Sequence, residues 1–199
     1  MADAATLAVY ARAARDYAQG TPLAPEPDYS PDIAAFLAPL PIRARLLDLG
    51  CGPGTWAAHF RQMGHEVSAC DPCPEMAALA RARTGLAVME MGAEKLEARA
   101  AYDGIWANFS LLHLPRAALP EALQRIHRAL RPKGMLHLGM KLGHDAGRDA
   151  LGRYVTYYSE ADLTDLTQAA GFTALRSRRG NRHDRPGAAD TFVIVTAHG

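Results

Sequence analysis

The chain has 199 residues, 49% of them apolar, enough for one substantial core and for a single domain over 1–199. Its 22 Lys and Arg against 21 Asp and Glu leave a net charge of +1, so no long-range field gathers a polyanion and nucleic acid is not the expected partner. Three cysteines are too few for a disulfide framework, and no run of about 18 apolar residues or secretory leader is visible, so a soluble cytoplasmic protein off the membrane is expected.

Residues 4–19 place apolar side chains at helical spacing with Arg and Asp opposite, which predicts an amphipathic helix ended by Gly20. The Pro-rich stretch TPLAPEPDYSP then reads as a connector, so that 1–30 form a helix and linker, a candidate lid. Beyond it, apolar runs alternate with Ala-rich helical segments in the rhythm of βαβ units. Strands are predicted at 45–49, 66–70, 87–91, 104–108, 135–141, 173–178 and 191–196. RPKG at 131–134 is expected to close a helix, and Ser159 with Asp162 gives a capping-box start to another. After Gly171 only the loop RRGNRHDRPGAAD separates two strands, so they form an antiparallel hairpin, since a parallel pair needs a crossover helix.

RLLDLG runs directly into CGPGTWAAHF, placing Gly50, Gly52 and Gly54 in a tight strand-to-helix turn. Glycine permits positive φ and close approach to a ligand, and the following helix is expected to offer unpaired N–H groups. Asp71, about twenty residues on at the end of the second predicted strand, can accept from both hydroxyls of a ribose. The pair predicts an adenosine-type site. Its third glycine comes one position early for GxGxxG, Asp48 precedes the turn and Pro53 sits inside it, which turns the expectation away from NAD.

LLDLGCGPG at 46–54 closely resembles the first motif of class I S-adenosylmethionine-dependent methyltransferases of the type 11 and type 25-like group. CDPCPEM at 70–76, MGAEKL at 91–96, YDGIWANFSLLHLP at 102–115 and LRPKGML at 130–136 follow in the family's order, so the resemblance spans about 46–172. It implies an α/β, Rossmann-like doubly wound sheet of seven strands in the order 3-2-1-4-5-7-6 with strand 7 antiparallel. It also implies S-adenosylmethionine as cofactor and S-adenosylhomocysteine as product. Asp48, Gly50, Cys51 and Gly52 would hold the methionine moiety, with Tyr17 of the lid helix reaching its end, and Asp71 would hold the ribose. Pro72 and Met76 would face the adenine, Ala93 and Glu94 would meet its edge, and Asn108 and Ser110 would line the sulfonium. One departure stands out: the family's Asp before the Ala-Glu pair is Gly92 here, which leaves the ring contact to the Ala93 backbone or Glu94.

A sulfonium methyl is already electrophilic, so such an enzyme mainly aligns a nucleophile and excludes water. Where the acceptor must lose a proton, His113 just past the fourth predicted strand is the candidate base; the competing reading is a histidine that shapes the pocket wall. The acceptor itself is not identified by the sequence. KLGHDAGRDALGRYVTYYSE, with Lys141, His144, Arg148, Arg153, Tyr154, Tyr157 and Tyr158, suits a small polar or anionic molecule, or else is a solvated loop. Arg176, Arg178, Arg179, Arg182 and Arg185 in the hairpin raise RNA methylation as the alternative, beside a noncatalytic cofactor-binding module. Cys70 and Cys73 form a CxxC without a second ligand pair, so neither a metal nor a redox site is expected, and Cys51 in the turn is assigned to packing.

Overall fold

The computed structural model describes residues 2–20, 29–182 and 190–199. The apolar run of β1 (Arg45–Leu49) is buried at four of its five positions, the pattern of a central strand covered on both faces. It feeds α3 (Thr55–Gln62) after α1 (Ala4–Gly20) and α2 (Ser30–Leu37) have preceded it. The chain continues through β2 (Glu66–Cys70), α4 (Pro74–Thr84), β3 (Val88–Met89), β4 (Tyr102–Asn108), α5 (Leu119–Ala129) and β5 (Leu130–Lys141). It ends with β6 (Ala146–Arg148), β7 (Tyr154–Thr156), α6 (Glu160–Ala169), β8 (Thr173–Arg182) and β9 (Asp190–His198).

Seven strands form one sheet in the order β3-β2-β1-β4-β5-β9-β8, with β9 antiparallel to both neighbours. Counting only sheet strands this is 3-2-1-4-5-7-6, the doubly wound arrangement expected. One face is covered by α5 and α6, where Leu119, Leu123, Ile126 and Leu163 are fully buried against Leu47, Ile105 and Leu136. Each such side chain contributes on the order of 2 kcal/mol of burial. The other face carries α2, α3 and α4: Phe36 and Phe60 close on Trp106, and Ala57, Ala77 and Ala80 close on Ala69 and Val88. α1 lies outside α4, packing Ala14, Leu7 and Tyr10 on Met76 and Leu79. Ser159 caps α6 with the reciprocal Asp162 bond predicted from the sequence.

Several expectations are corrected. RPKG does not close a helix: α5 ends at Ala129 and 131–134 lie inside β5, as a bulge between the pairs Tyr102–Leu130 and Gly104–Met135. Lys133 takes φ +66° there and bonds Gly199, so the segment keeps sheet-side partners despite its proline. The strand predicted at 87–91 shortens to two residues. The connector gives way to helix at Ser30, because Pro31 is tolerated in a first helical turn. The insert after β5 is not only loop, since β6 and β7 pair as an antiparallel ribbon. The rest of the connector, 21–28, and the hairpin tip with Arg185 lie outside the described residues.

Candidate active site

Gly50, Gly52 and Gly54 adopt φ of +80°, +53° and +86° between β1 and α3. At Gly50 the requirement is also steric, since a Cβ there would stand 2.2 Å from the Ser110 Cβ. At Gly52 an added Cβ would meet nothing within 4 Å, so this position faces open space. The N–H groups of the turn point inward. Gly50 and Cys51 donate to the Cys70 carbonyl at 2.8 and 2.9 Å, and Gly54 donates to the Cys51 carbonyl at 3.0 Å. Gly52 donates to Asp71 Oδ2 at 2.8 Å, and Ala57 donates to Asp48 Oδ2 at 2.9 Å. The free donors expected for a ligand are therefore not offered at these five positions.

A small opening lies beside this turn. Of the residues assigned from the sequence, Gly50, Pro72, Ala93, Glu94 and Ser110 wall it. Gly92, noted from the sequence as the departure beside Ala93, also walls it; Leu49, Leu111, Leu114 and Ala2 complete the wall and were not anticipated, although Leu111 and Leu114, one turn apart after β4, were the legible signal. No Lys or Arg is among these ten residues. Ser110 is fixed by donating from Oγ to the Leu49 carbonyl at 2.6 Å. At Gly92 a Cβ would stand 2.5 Å from Glu94 Oε2, so the Glu94 carboxylate fills the space that a side chain at 92 would need.

The electrostatics of the turn are acidic. Asp71 accepts from Gly52 on one oxygen and from Cys73 on the other, each at 2.8 Å, and burial outweighs these bonds to push its carboxyl above the usual range. Asp48, buried under α3, is pushed up to about 8 by burial and by the nearby Asp71. Burial likewise raises the Cys51 thiol, and raises Cys70 to about 12 and Cys73 to about 11, so these are packed thiols. All three cysteines are free, and among the described residues no group of His, Cys, Asp and Glu could hold a metal ion.

Other assigned residues lie elsewhere. Met76 is 1% exposed between α4 and α1, packed with Ala14 and Cys73 instead of walling the opening. Asn108 shares the Trp106 face of β4 by strand alternation, and its Oδ1 lies 3.1 Å from His137 Nε2 on β5. Tyr17 stands on α1, but its side chain lies outside the described residues.

His113 ends the short 3-10 turn Leu111–His113, 7% exposed. Its Nδ1 is 2.6 Å from the Tyr154 carbonyl of β7, and its Nε2 is 2.8 Å from the Tyr10 hydroxyl of α1. Burial, with Arg153 and Lys141 nearby, lowers the imidazole to about 4, so the ring is neutral. Arg153 Nη1 donates to Tyr10 at 3.0 Å while its Nε and Nη2 clasp Asp149 at 2.9 and 2.6 Å. Thr6 Oγ1 accepts from the Tyr154 N–H at 2.8 Å, and Arg148 reaches Asp3 at 3.4 Å. Arg116 lies over the Tyr158 ring and donates to the His144 carbonyl at 2.9 Å.

Strand order and glycine turn define a Rossmann-like domain whose opening is walled by apolar and small residues with Glu94 as its one acid. A sequence profile described as "Methyltransferase domain" matches residues 46–134. The malonyl-[acyl-carrier protein] O-methyltransferase of Enterobacter lignolyticus is 37% identical over 138 residues, 66% of this chain and 51% of that protein. Its Salmonella typhimurium counterpart is 31% identical over 137 residues, 66% and 51%. The chain thus spans about half the length of the curated relatives it matches. The solved Burkholderia thailandensis 1,6-didemethyltoxoflavin-N1-methyltransferase, with its acceptor and S-adenosylhomocysteine bound, is 29% identical at TM-score 0.76, covering 98% of this chain and 87% of that one. Residues 46–134 thus match the methyltransferase-domain family, and the whole chain shares the fold of a methyltransferase solved with S-adenosylhomocysteine. Nothing in the comparisons points to nucleic acid. Among the described residues no helix is long and apolar enough to cross a membrane. Of the hairpin arginines, Arg178 is bound to Asp32 and Arg179 to Glu160, Arg176 is exposed, and the Arg182 side chain lies outside the described residues.

Proposed function

We propose that the protein, as one catalytic domain, transfers a methyl group from S-adenosylmethionine to a small-molecule acceptor by in-line displacement. One observation carries this reading: four N–H groups of the glycine turn, and that of Ala57 on α3, are spent inward, beside two buried acids and an opening walled without a cation. A dinucleotide pyrophosphate needs convergent N–H donors. A sulfonium nucleoside carries no phosphate and makes no such demand on the turn. When bound, S-adenosylmethionine supplies the electrophilic methyl.

Gly50, Gly52 and Asp48 would accept its amino acid end, with Cys51 shaping the turn. Asp71 would hold the ribose through the oxygen capacity its two backbone bonds leave over. Pro72, Ala93 and Glu94 would border the adenine, and Ser110 the sulfonium. Met76 and Asn108 would act from behind, Met76 by seating α1 and Asn108 by bracing β4 on β5. The three free, buried thiols suit a reducing, cytoplasmic setting.

For the acceptor we infer a small uncharged molecule carrying a nucleophilic nitrogen or oxygen. Arg116, Arg148 and Arg153, the arginines beside His113 and the ribbon, are all engaged internally, and His113 is neutral. The whole-chain neighbour acting on 1,6-didemethyltoxoflavin fits this chemistry, whereas the relatives matched over half their length are named for a malonyl group borne by a carrier protein. Calorimetry should show S-adenosylhomocysteine binding and no heat from NAD. Labelled S-adenosylmethionine should then methylate a nitrogen heterocycle panel in preference to malonyl-carrier protein. Heat from NAD alone overturns the cofactor reading, and preferential carrier-protein methylation overturns the acceptor reading.

A further inference from the structure

Away from the glycine turn, a polar chain joins three segments distant in sequence: α1, the 3-10 turn after β4, and the ribbon. The direction of its hydrogen bonds follows from donor and acceptor chemistry. The Tyr154 carbonyl only accepts, so His113 Nδ1 carries the ring proton. A neutral imidazole then has a bare Nε2, and the Tyr10 hydroxyl must donate to it. A guanidinium only donates, so Tyr10 Oη accepts from Arg153, which Asp149 holds at its other edge. Every proton therefore points one way, from Arg153 to Tyr10 to His113 to the β7 backbone.

We propose that Tyr10 is the positioning residue through which docking of α1 orients His113 at the acceptor side of the site. The assignment rests on the methyltransferase reading and deepens it. While α1 is docked, His113 Nε2 is engaged by Tyr10, so the imidazole acts by holding the 3-10 turn in place and not as a free base. Undocking of α1 removes the donor from Nε2 and the ring's hold at once. The Leu111 and Leu114 wall adjoins the same 3-10 turn, so the disturbance reaches the opening itself.

The groups facing His113 are Tyr10 on α1, Arg153 and Asp149 on the ribbon and Lys141 at the end of β5. The test compares the full chain with Tyr10→Phe, which keeps the ring packed on Met76 and Leu79, and with Arg153→Gln. Histidine-labelled NMR follows the His113 titration, amide exchange follows α1, and calorimetry follows S-adenosylhomocysteine. In Tyr10→Phe the His113 midpoint should rise by about one pH unit through loss of a donor to the neutral form. α1 exchange should quicken at least about tenfold, with S-adenosylhomocysteine affinity held within about twofold. Arg153→Gln should move His113 and α1 in the same directions.

Unchanged His113 titration and α1 protection in Tyr10→Phe overturn the proposal. So does a tenfold loss of S-adenosylhomocysteine affinity, which would make Tyr10 part of the cofactor site. Should Arg153→Gln fail to fold, Tyr10→Phe alone decides. Wild-type protein that binds no S-adenosylhomocysteine would sink the cofactor reading, while the His113 and α1 comparison would still decide this one.

Discussion

The two halves of the proposed site are built by different means. The cofactor half, 48–57 with 70–73, is made of backbone: hydrogen bonds between neighbouring strands and two carboxylates hold its glycine turn in a single conformation. The acceptor half is made of side chains reaching across the sequence, such as Tyr10 to His113, Arg153 to Tyr10 and the Tyr154 N–H to Thr6. Backbone construction gives a fixed shape and tolerates change only where a side chain adds nothing. Side-chain construction can be rewired one residue at a time, so one fold accommodates many acceptors.

The contrast is sharpest within the turn. Gly50→Ala drives a Cβ into Ser110 and strains a positive φ, and should cost about 3 kcal/mol or more in denaturant unfolding. Gly52→Ala has open space and should cost about 1 kcal/mol, yet weaken S-adenosylhomocysteine binding tenfold or more as measured by calorimetry, because its methyl enters the ligand's side. Equal stabilities for the two variants would break the packing account of Gly50.

In the acceptor half the largest effect is one of pH. His113 titrates near 4 when folded and near 6.5 when unfolded, so the unfolded chain takes the proton first. Stability then rises with pH across that window, and up to about 3 kcal/mol is lost on acidification from 6.5 to 4. Urea unfolding at several pH values should show this slope, and His113→Gln should flatten it. Asp48 contributes the opposite slope: its raised folded value gives stability that is present at low pH and lost as pH climbs toward about 8, and Asp48→Asn should remove it.

Returning to the cofactor half, Asp71→Asn leaves one of two backbone N–H groups facing an amide donor and should cost about 2 kcal/mol. The smallest effect belongs to the rim of the acceptor half. Asp3→Asn breaks the Arg148 pair, whose partners are 37% and 49% exposed, and should change the melting free energy by no more than about 0.5 kcal/mol.

What the sequence disclosed divides along the same line. Strand positions and the glycine turn were legible because each is written in local patterns of apolar runs and turn residues, whereas the sheet order was implied by the family resemblance of 46–172. The inward aim of the turn's N–H groups was not, since it depends on where the Cys70 carbonyl and the Asp71 carboxylate arrive from the next strand. Asn108 shares parity with Trp106, and that spacing alone points it to the α2–α3 face, away from the opening. The ribbon escaped because its strands are three residues each, although Tyr154, Val155 and Thr156 are all strand-favouring. Nothing local marks Tyr10 as the partner of His113, 103 positions away.

The aromatic stack beneath β4 has a practical side. Trp106 lies 3.3 Å from the His137 ring at 9° and 4.8 Å from Trp56, the chain's other tryptophan. Both indoles therefore emit from the α2–α3 layer, one of them stacked on the buried His137 ring. Intrinsic fluorescence will follow melting of that layer and stay dark to movements of the N-terminal helix, so watching the latter calls for a dye or a fluorinated tyrosine placed there.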